Sequence, residues 1–295
     1  MREKLEYTLL NVFLFIIKIL PSKISYNLFK FLALLLFKFD KKRAKITLTN
    51  LSLSYPTKSK KELIIIAKES YISAFYVLLE SLFVMSGKMS KDDIQKLIIN
   101  PQEIKKLQKL QENSTKGIIV ISGHFGSWEL MAHFLGLNDF KLNVIAREGN
   151  NSLIDKRFTK PYREMFGNTQ FYKSGAALFM AKALKRNENI ALLIDQKTDP
   201  KNASIVNFFG RACRTTNSVA QLKLKFDPII VPVFVVRVDG GYKLIINEPV
   251  EYIAKECEDK KEKIDAITQK YNDEIQKVIE QYTNQWFWMH SRWKM

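Results

Sequence analysis

Residues 117–130 read GIIVISGHFGSWEL, and the reading of the whole chain turns on them. The stretch opens as an apolar run too short for a helix and rich in β-branched side chains, which predicts a buried strand. After Gly123 it changes character: His124-Phe125-Gly126-Ser127 has the look of a turn, and Trp128-Glu129-Leu130 starts a helical pattern. In an open α/β sheet, ligands gather at the carboxyl ends of the strands, so a histidine released at this point stands where chemistry usually occurs.

His124 and Glu129 are five residues apart, and five steps of about 100° put such residues on different faces of an ideal helix. They can meet only if His124 lies in the turn before the helix begins. Gly123 and Gly126 fit a tight turn, since glycine accepts backbone angles that other residues resist. A carboxylate at Glu129 would then fix the imidazole tautomer and leave the second ring nitrogen to take a proton from a hydroxyl. The spacing alone is weakly specific, because a capping histidine followed by a surface glutamate gives the same letters. His133 and His290 show that a histidine can be incidental here. The His124, Glu129, His133 spacing does not match the H-E-x-x-H pattern of a metal site, so no metal or other cofactor is expected.

Outward from this turn, short apolar runs recur at LNVIAR (142–147), NIALLID (189–195) and IIVPVFVV (229–236), with helically spaced segments between them. The alternation predicts an α/β domain with a mixed, mostly parallel central sheet flanked by helices. A hairpin is expected between residues 231–234 and 242–246 across Asp239-Gly240-Gly241, with Pro232 at an edge or a bulge. A long helix is predicted over 61–85, a capped one after Ser90, and a last amphipathic one over 264–282, leading into Trp286-Phe287-Trp288.

Upstream, residues 5–20 (LEYTLLNVFLFIIKIL) and 24–39 (ISYNLFKFLALLLFKF) are apolar, and the basic run Lys41-Lys42-Arg43-Ala44-Lys45 follows. Both are short against the roughly 20 residues of a spanning helix. Residues 1–45 are therefore read as an N-terminal helical membrane anchor, one tilted or interfacial segment plus a helix lying on the membrane, and residues 46–295 as the catalytic domain. A buried helical hairpin is the alternative. No small-x-small cleavage site follows the first apolar stretch. The basic run predicts a cytoplasmic face and attraction to anionic lipid.

With 47 Lys+Arg against 30 Asp+Glu, the net charge of +17 points to polyanionic partners. No nucleic-acid recognition pattern is present, and nucleic acid is not expected as a partner. Cys213 and Cys257 form neither a C-x-x-C pair nor a disulfide framework. The chain also lacks a Gly-rich phosphate loop and a G-x-G-x-x-G turn, so nucleotide-driven and hydride chemistry lack their usual cradle.

The segment resembles the H-x-x-x-x-[DE] block of glycerolipid acyltransferases, and in its wider form it is similar to the lauroyl and myristoyl acyltransferases of lipid A biosynthesis. Those usually carry Asn where Ser127 stands. The likeness runs in order along nearly the whole chain: Arg43, Asn50-Leu51 and Tyr55-Pro56; Arg147 with Asn150; 163–167 (REMFG); Asp195-Gln196; 206–210 (VNFFG); 231–233 (VPV); and 288–293 (WMHSRW), where a second Arg is usual at Ser291. The resemblance implies acyl transfer from an acyl carrier protein thioester to a hydroxyl of a phosphorylated glycolipid at the bacterial inner membrane. His124 would be the base and Glu129 its partner. Arg147, Asn150, Arg163, Asp195, Gln196 and Arg292 would contact substrate, with Asp195 alternatively orienting a basic group or capping its strand. Backbone N–H groups at Gly126 and Ser127 would hold the oxyanion. An acyltransferase for another glycolipid or an aminolipid, and a non-enzymatic membrane or lipopolysaccharide binder, are the alternatives.

Overall fold

The computed structural model describes residues 1–252 and 259–294; Cys257 lies outside them. Six strands form one sheet in the order β3-β2-β4-β1-β7-β8. They are β1 (Ile118–Ser122), β2 (Asn143–Ala146), β3 (Thr169–Tyr172), β4 (Ile190–Leu193), β7 (Ile229–Val238) and β8 (Gly241–Ile246). Every ladder is parallel except β7–β8, so the sheet is mixed and mostly parallel, as the alternation predicts. Two further strands, β5 (Ala203–Phe208) and β6 (Arg211–Thr216), make a separate hairpin. It turns through Phe209 and Gly210, both at positive φ.

The central strand is buried on both faces, which is why β1 reads as an unbroken apolar run. Alternate side chains feed two cores. Ile119 and Ile121 join Met180 and Leu184 of α10 (Ala176–Lys185), Leu222 of α11 (Ser218–Phe226) and Ile275 of α12 (Lys260–Gln281). Ile118 and Val120 join Leu130 and Phe134 of α7 (Trp128–Leu137). Each fully buried aliphatic side chain of this kind contributes about 1.5–3 kcal/mol.

Pro232 stands inside β7, opposite Ile121, rather than at an edge or a bulge. Its carbonyl accepts from Asn247 N at 3.0 Å, just past the last β7–β8 pair, Val233 with Ile246. The proline nitrogen faces that same side, where the ladder has ended and no donor is needed.

Upstream lie α1 (Arg2–Ile19), α2 (Ser22–Phe39), α3 (Lys41–Ser54), α4 (Lys60–Met85), α5 (Lys91–Leu97) and α6 (Ile104–Glu112). Capping boxes at Ser59–Glu62 and Ser90–Asp93 start α4 and α5. Leu14, Ile17 and Phe29 pack on Leu79, Leu82 and Phe83 of α4. Among the described residues no helix is long and apolar enough to cross a membrane, so the span considered from the sequence is not supported. The 18 residues of α1 rise roughly 27 Å against a hydrocarbon core of about 30 Å, and they include Glu3, Lys4, Glu6 and Lys18. Between β2 and β3 the chain runs through α8 (Ser152–Ile154), a π-helical segment (Asp155–Thr159), α9 (Lys160–Arg163) and a 3-10 turn (Met165–Gly167).

Candidate active site

β1 and β4 run parallel side by side, with Ser122 opposite Leu193, so the residues that leave their carboxyl ends emerge together. The contact continues one residue further, where Ile194 N donates to Ser122 O at 3.0 Å. Asp195 therefore stands against the turn that follows β1. Its Oδ1 lies 2.8 Å from His124 Nδ1, and its Oδ2 accepts from His124 N at 2.8 Å and from Trp286 Nε1 at 2.7 Å. Gly123 permits this approach, since a Cβ there would lie 3.1 Å from the Asp195 carboxyl.

The carboxylate hydrogen-bonded to the imidazole is thus that of Asp195, where the sequence reading expected Glu129. Glu129 instead pairs with Arg163 Nη2 at 3.0 Å. The helix begins at Trp128, so Glu129 lies in its first turn, within reach of Arg163 at the end of α9. Both acids still act on His124 through charge. Burial pulls the imidazole pKa down, but the charge and hydrogen bond of Asp195, together with the charge of Glu129, outweigh it and the net shift is upward. Burial pushes Asp195 up, yet His124 and the two N–H donors hold it below the usual carboxylate range. An ionised Asp195 can only accept, so Nδ1 carries the proton and Nε2 keeps its lone pair.

The expected oxyanion donors are already engaged. Gly126 N donates to Gln285 O at 3.1 Å and Ser127 N to Val235 O at 2.7 Å, so neither N–H is available to a substrate. Gly126 sits at φ +57°, and a Cβ on it would come within 2.0 Å of Val235 O. The glycine serves close packing of the turn on β7. Ser127 Oγ points inward to Glu80 Oε2 at 3.1 Å. Glu80 is fully buried in α4 and also binds Arg237 Nη2 at 2.7 Å, Tyr26 OH at 3.1 Å and Tyr242 OH. A lone carboxylate inside the apolar run FYVLLESLFV (75–84) was the available signal for this network, and the sequence reading passed over it.

His124, Glu129, Arg147 and Arg163 line one cavity of about 310 Å³, walled by apolar groups from α7, β2 and β4 such as Trp128, Met131, Val144 and Leu193. His124 remains 27% exposed there. Arg147 is exposed and makes no ion pair among the described residues, and Asn150 is exposed beyond the cavity lining. Gln196 is half-buried next to Asp195 and is likewise outside the lining. His133, one turn below Glu129, is buried between Tyr162 and Phe166, and burial pulls its pKa down to about 4.

Arg292 departs furthest from expectation. It is fully buried, and its guanidinium donates to Arg214 O at 2.6 Å, Asn272 Oδ1 at 3.0 Å and Thr215 Oγ1 while lying over the Phe208 ring. It fastens the C-terminal tail to β6 and α12 and cannot reach a substrate phosphate. The tail itself belongs to the site. Besides Trp286 on Asp195, Phe287 N donates to His124 O at 3.0 Å, and His290 Nε2 accepts from Lys197 N at 2.9 Å. Asn50 Nδ2 holds the tail from the other side, donating to Trp288 O at 2.8 Å and His290 O at 2.7 Å.

A histidine oriented by a buried carboxylate at the carboxyl edge of a parallel sheet, opening on a partly apolar cavity, describes an enzyme equipped to deprotonate a hydroxyl beside an apolar ligand. Comparison with known proteins makes the class specific. The profile of the family described as bacterial lipid A biosynthesis acyltransferase matches residues 2–295, and the chain belongs to that family. It is 28% identical over 261 residues to the lipid A biosynthesis acyltransferase of Haemophilus influenzae, covering 87% of this chain and 79% of that protein. It is 26% identical over 279 residues to the lipid A biosynthesis lauroyltransferase of Escherichia coli, covering 93% and 87%. The chain is therefore an acyltransferase of lipid A synthesis, and the non-enzymatic binding alternative is set aside.

Proposed function

We propose that this enzyme moves a fatty acyl chain from an acyl carrier protein thioester to a hydroxyl of a lipid A precursor resembling Kdo-lipid IVA, at the cytoplasmic face of the inner membrane. The observation that carries the mechanism is the 2.8 Å contact between His124 Nδ1 and Asp195, which leaves Nε2 as the base. Nε2 takes the proton of the acceptor hydroxyl as its oxygen attacks the thioester carbonyl carbon. When the tetrahedral intermediate collapses, the carbon–sulfur bond breaks and the imidazolium returns the proton to the leaving thiolate. Base catalysis of this kind is worth roughly 10²–10⁴-fold.

Glu129 contributes negative charge close to the ring and holds Arg163 at the cavity. Arg147, exposed and unpaired by any described acid, is suited to a phosphate of the acceptor or donor, since a guanidinium offers two charge-assisted bonds at once. Asn150 and Gln196 are proposed as outer contacts of the same substrates.

The outer faces of α1 and α2 support the proposed membrane placement. Leu5, Leu9, Val12, Ile16 and Ile19 on the first, and Ile24, Leu28, Phe31 and Leu35 on the second, are exposed at spacings of three and four. Each is a continuous apolar stripe facing outward, the pattern of helices that lie in a bilayer interface. The test is incubation of the detergent-solubilised enzyme with acyl-loaded carrier protein and the glycolipid, read by mass spectrometry. The glycolipid is expected to gain one acyl chain. Gain on a different glycolipid or an aminolipid, with none on the lipid A precursor, would replace this acceptor.

A further inference from the structure

A second concavity lies away from the catalytic cavity and shares no lining residue with it. It is a groove of about 760 Å³ between α2, α3 and α4. Its floor is apolar, formed by Phe37, Ala44, Leu48 and Leu63. Its rim carries Lys38, Lys41, Lys45, Lys58 and Lys60, and no acidic side chain contributes to the lining.

The acids closest in sequence are committed elsewhere: Asp40 caps α3 and pairs with Arg43, and Glu62 closes the capping box with Ser59. None of the five rim lysines makes an ion pair among the described residues. A smaller depression of about 510 Å³ shares Lys60 and adds Lys61 and Lys68 beside Ile64 and Ile65. The positive charge is therefore concentrated over an apolar surface, with no carboxylate in the groove lining itself.

We propose that this groove is a lipid site separate from the active site, which takes the phosphate of an anionic phospholipid on its lysine rim and an acyl chain along its floor. A polynucleotide or an acidic protein would satisfy the lysines, but it would leave the floor and the neighbouring Phe39, which is 68% exposed, without an apolar partner. A phospholipid matches both. The groove also continues the exposed stripe of α2 through Phe31, Leu35 and Phe39, so a lipid held there lies in the same layer that the stripe would enter. The proposal rests on the membrane-surface part of the reading above and is independent of the acyl acceptor.

The experiment floats the full chain with phosphatidylcholine vesicles, with and without phosphatidylglycerol. It compares wild type with Lys41→Gln/Lys45→Gln/Lys58→Gln in the groove and with a charge-matched control, Lys105→Gln/Lys109→Gln/Lys263→Gln, on α6 and α12. Each lysine near an anionic surface is worth about fivefold, so the groove variant is expected to lose on the order of tenfold to a hundredfold in affinity for the anionic vesicles. The control should lose no more than about threefold, and Leu48→Ser should weaken binding with no change in charge. Equal losses in the groove variant and the control, or no loss in either, would overturn the site. So would binding of an oligonucleotide as tight as that of the vesicles and equally lysine-dependent. Acyl transfer to detergent-dispersed glycolipid, measured on the same preparations, reports folding and separates the two readings: its absence in wild type would count against the proposed reaction, while the vesicle result would still decide the groove.

Discussion

Replacing Asp195 by Asn tests the histidine's tautomer most directly. Oδ2 accepts two fixed donors, His124 N and Trp286 Nε1, whereas Oδ1 meets only Nδ1. An amide satisfies those two donors only with its oxygen at the Oδ2 position, which turns its NH₂ toward Nδ1. Nδ1 must then accept, the proton moves to Nε2, and the nitrogen that should act as base becomes a donor. Loss of the correct tautomer in an Asp–His pair costs about 10⁴-fold, or roughly 5.4 kcal/mol of barrier, so kcat should fall by about 10³–10⁴ with KM little changed. The assay is steady-state transfer with acyl-loaded carrier protein, with the thermal melt as the control for folding. A folded Asp195→Asn enzyme within tenfold of wild-type kcat would refute the argument and return the orienting role to Glu129.

Four further outcomes follow from the same geometry. Because the net shift on His124 is upward, the acid limb of kcat/KM should have its midpoint above the ordinary histidine value of about 6.5, and Glu129→Gln should move that midpoint down, as read from a pH–rate profile. The linked stability has opposite signs at the two groups: the raised His124 stabilises fully below about pH 6.5 and loses its contribution as pH rises through its folded pKa, whereas the depressed Asp195 stabilises above about pH 3.9 and loses it as pH falls through its own. Denaturation midpoints measured against pH should therefore be highest between those limits. Gly126→Ala should lose at least about 2 kcal/mol, since it combines a positive φ with a 2.0 Å clash on Val235 O; a soluble variant with unchanged melting would contradict this. Arg292→Lys should lower stability by about 1–3 kcal/mol through loss of its planar fork, while kcat/KM per folded molecule stays at wild type; a raised KM with normal melting would restore a substrate contact.

The parts of this fold that could be read from the sequence were those set by local pattern. The strand at 118–122, the glycine-bearing turn and the helix after it follow from period and turn chemistry, as does the capping box at Ser90, whereas the one at Ser59 lies outside the apolar period that marks its helix. The identity of the histidine's partner could not be read this way. Asp195 is 71 residues from His124, and only the parallel register of β1 on β4 brings them together. Glu129 has the right chemistry at a nearby position, but spacing cannot tell which of two acids faces a ring. The oxyanion assignment failed for a similar reason: a glycine and a serine at a helix start offer free N–H groups in isolation, and only packing against β7 and the tail shows both in use. The resemblance of the 288–293 block implies a substrate contact for Arg292, but a likeness of letters cannot show where a side chain points, and this guanidinium finds three neutral acceptors inside the protein.

These long-range contacts have a common consequence. The turn bearing His124 is held from the C-terminal tail through Gln285, Trp286 and Phe287, and from the N-terminal helices through Ser127, Glu80 and Tyr26 of α2. Asn50 of α3 in turn grips the tail at Trp288 and His290. The helices with outward apolar stripes and the tail of the chain thus close a loop of hydrogen bonds around the catalytic base. Glu80 is where the loop is most costly to break: removing one partner of a buried ion pair costs up to about 3–5 kcal/mol, and here the same change would also release Ser127 and Tyr26. A perturbation that peels α2 away from α4 would therefore be felt at the turn bearing His124 through Tyr26, Glu80 and Ser127. The N-terminal helices are part of what keeps the base in place.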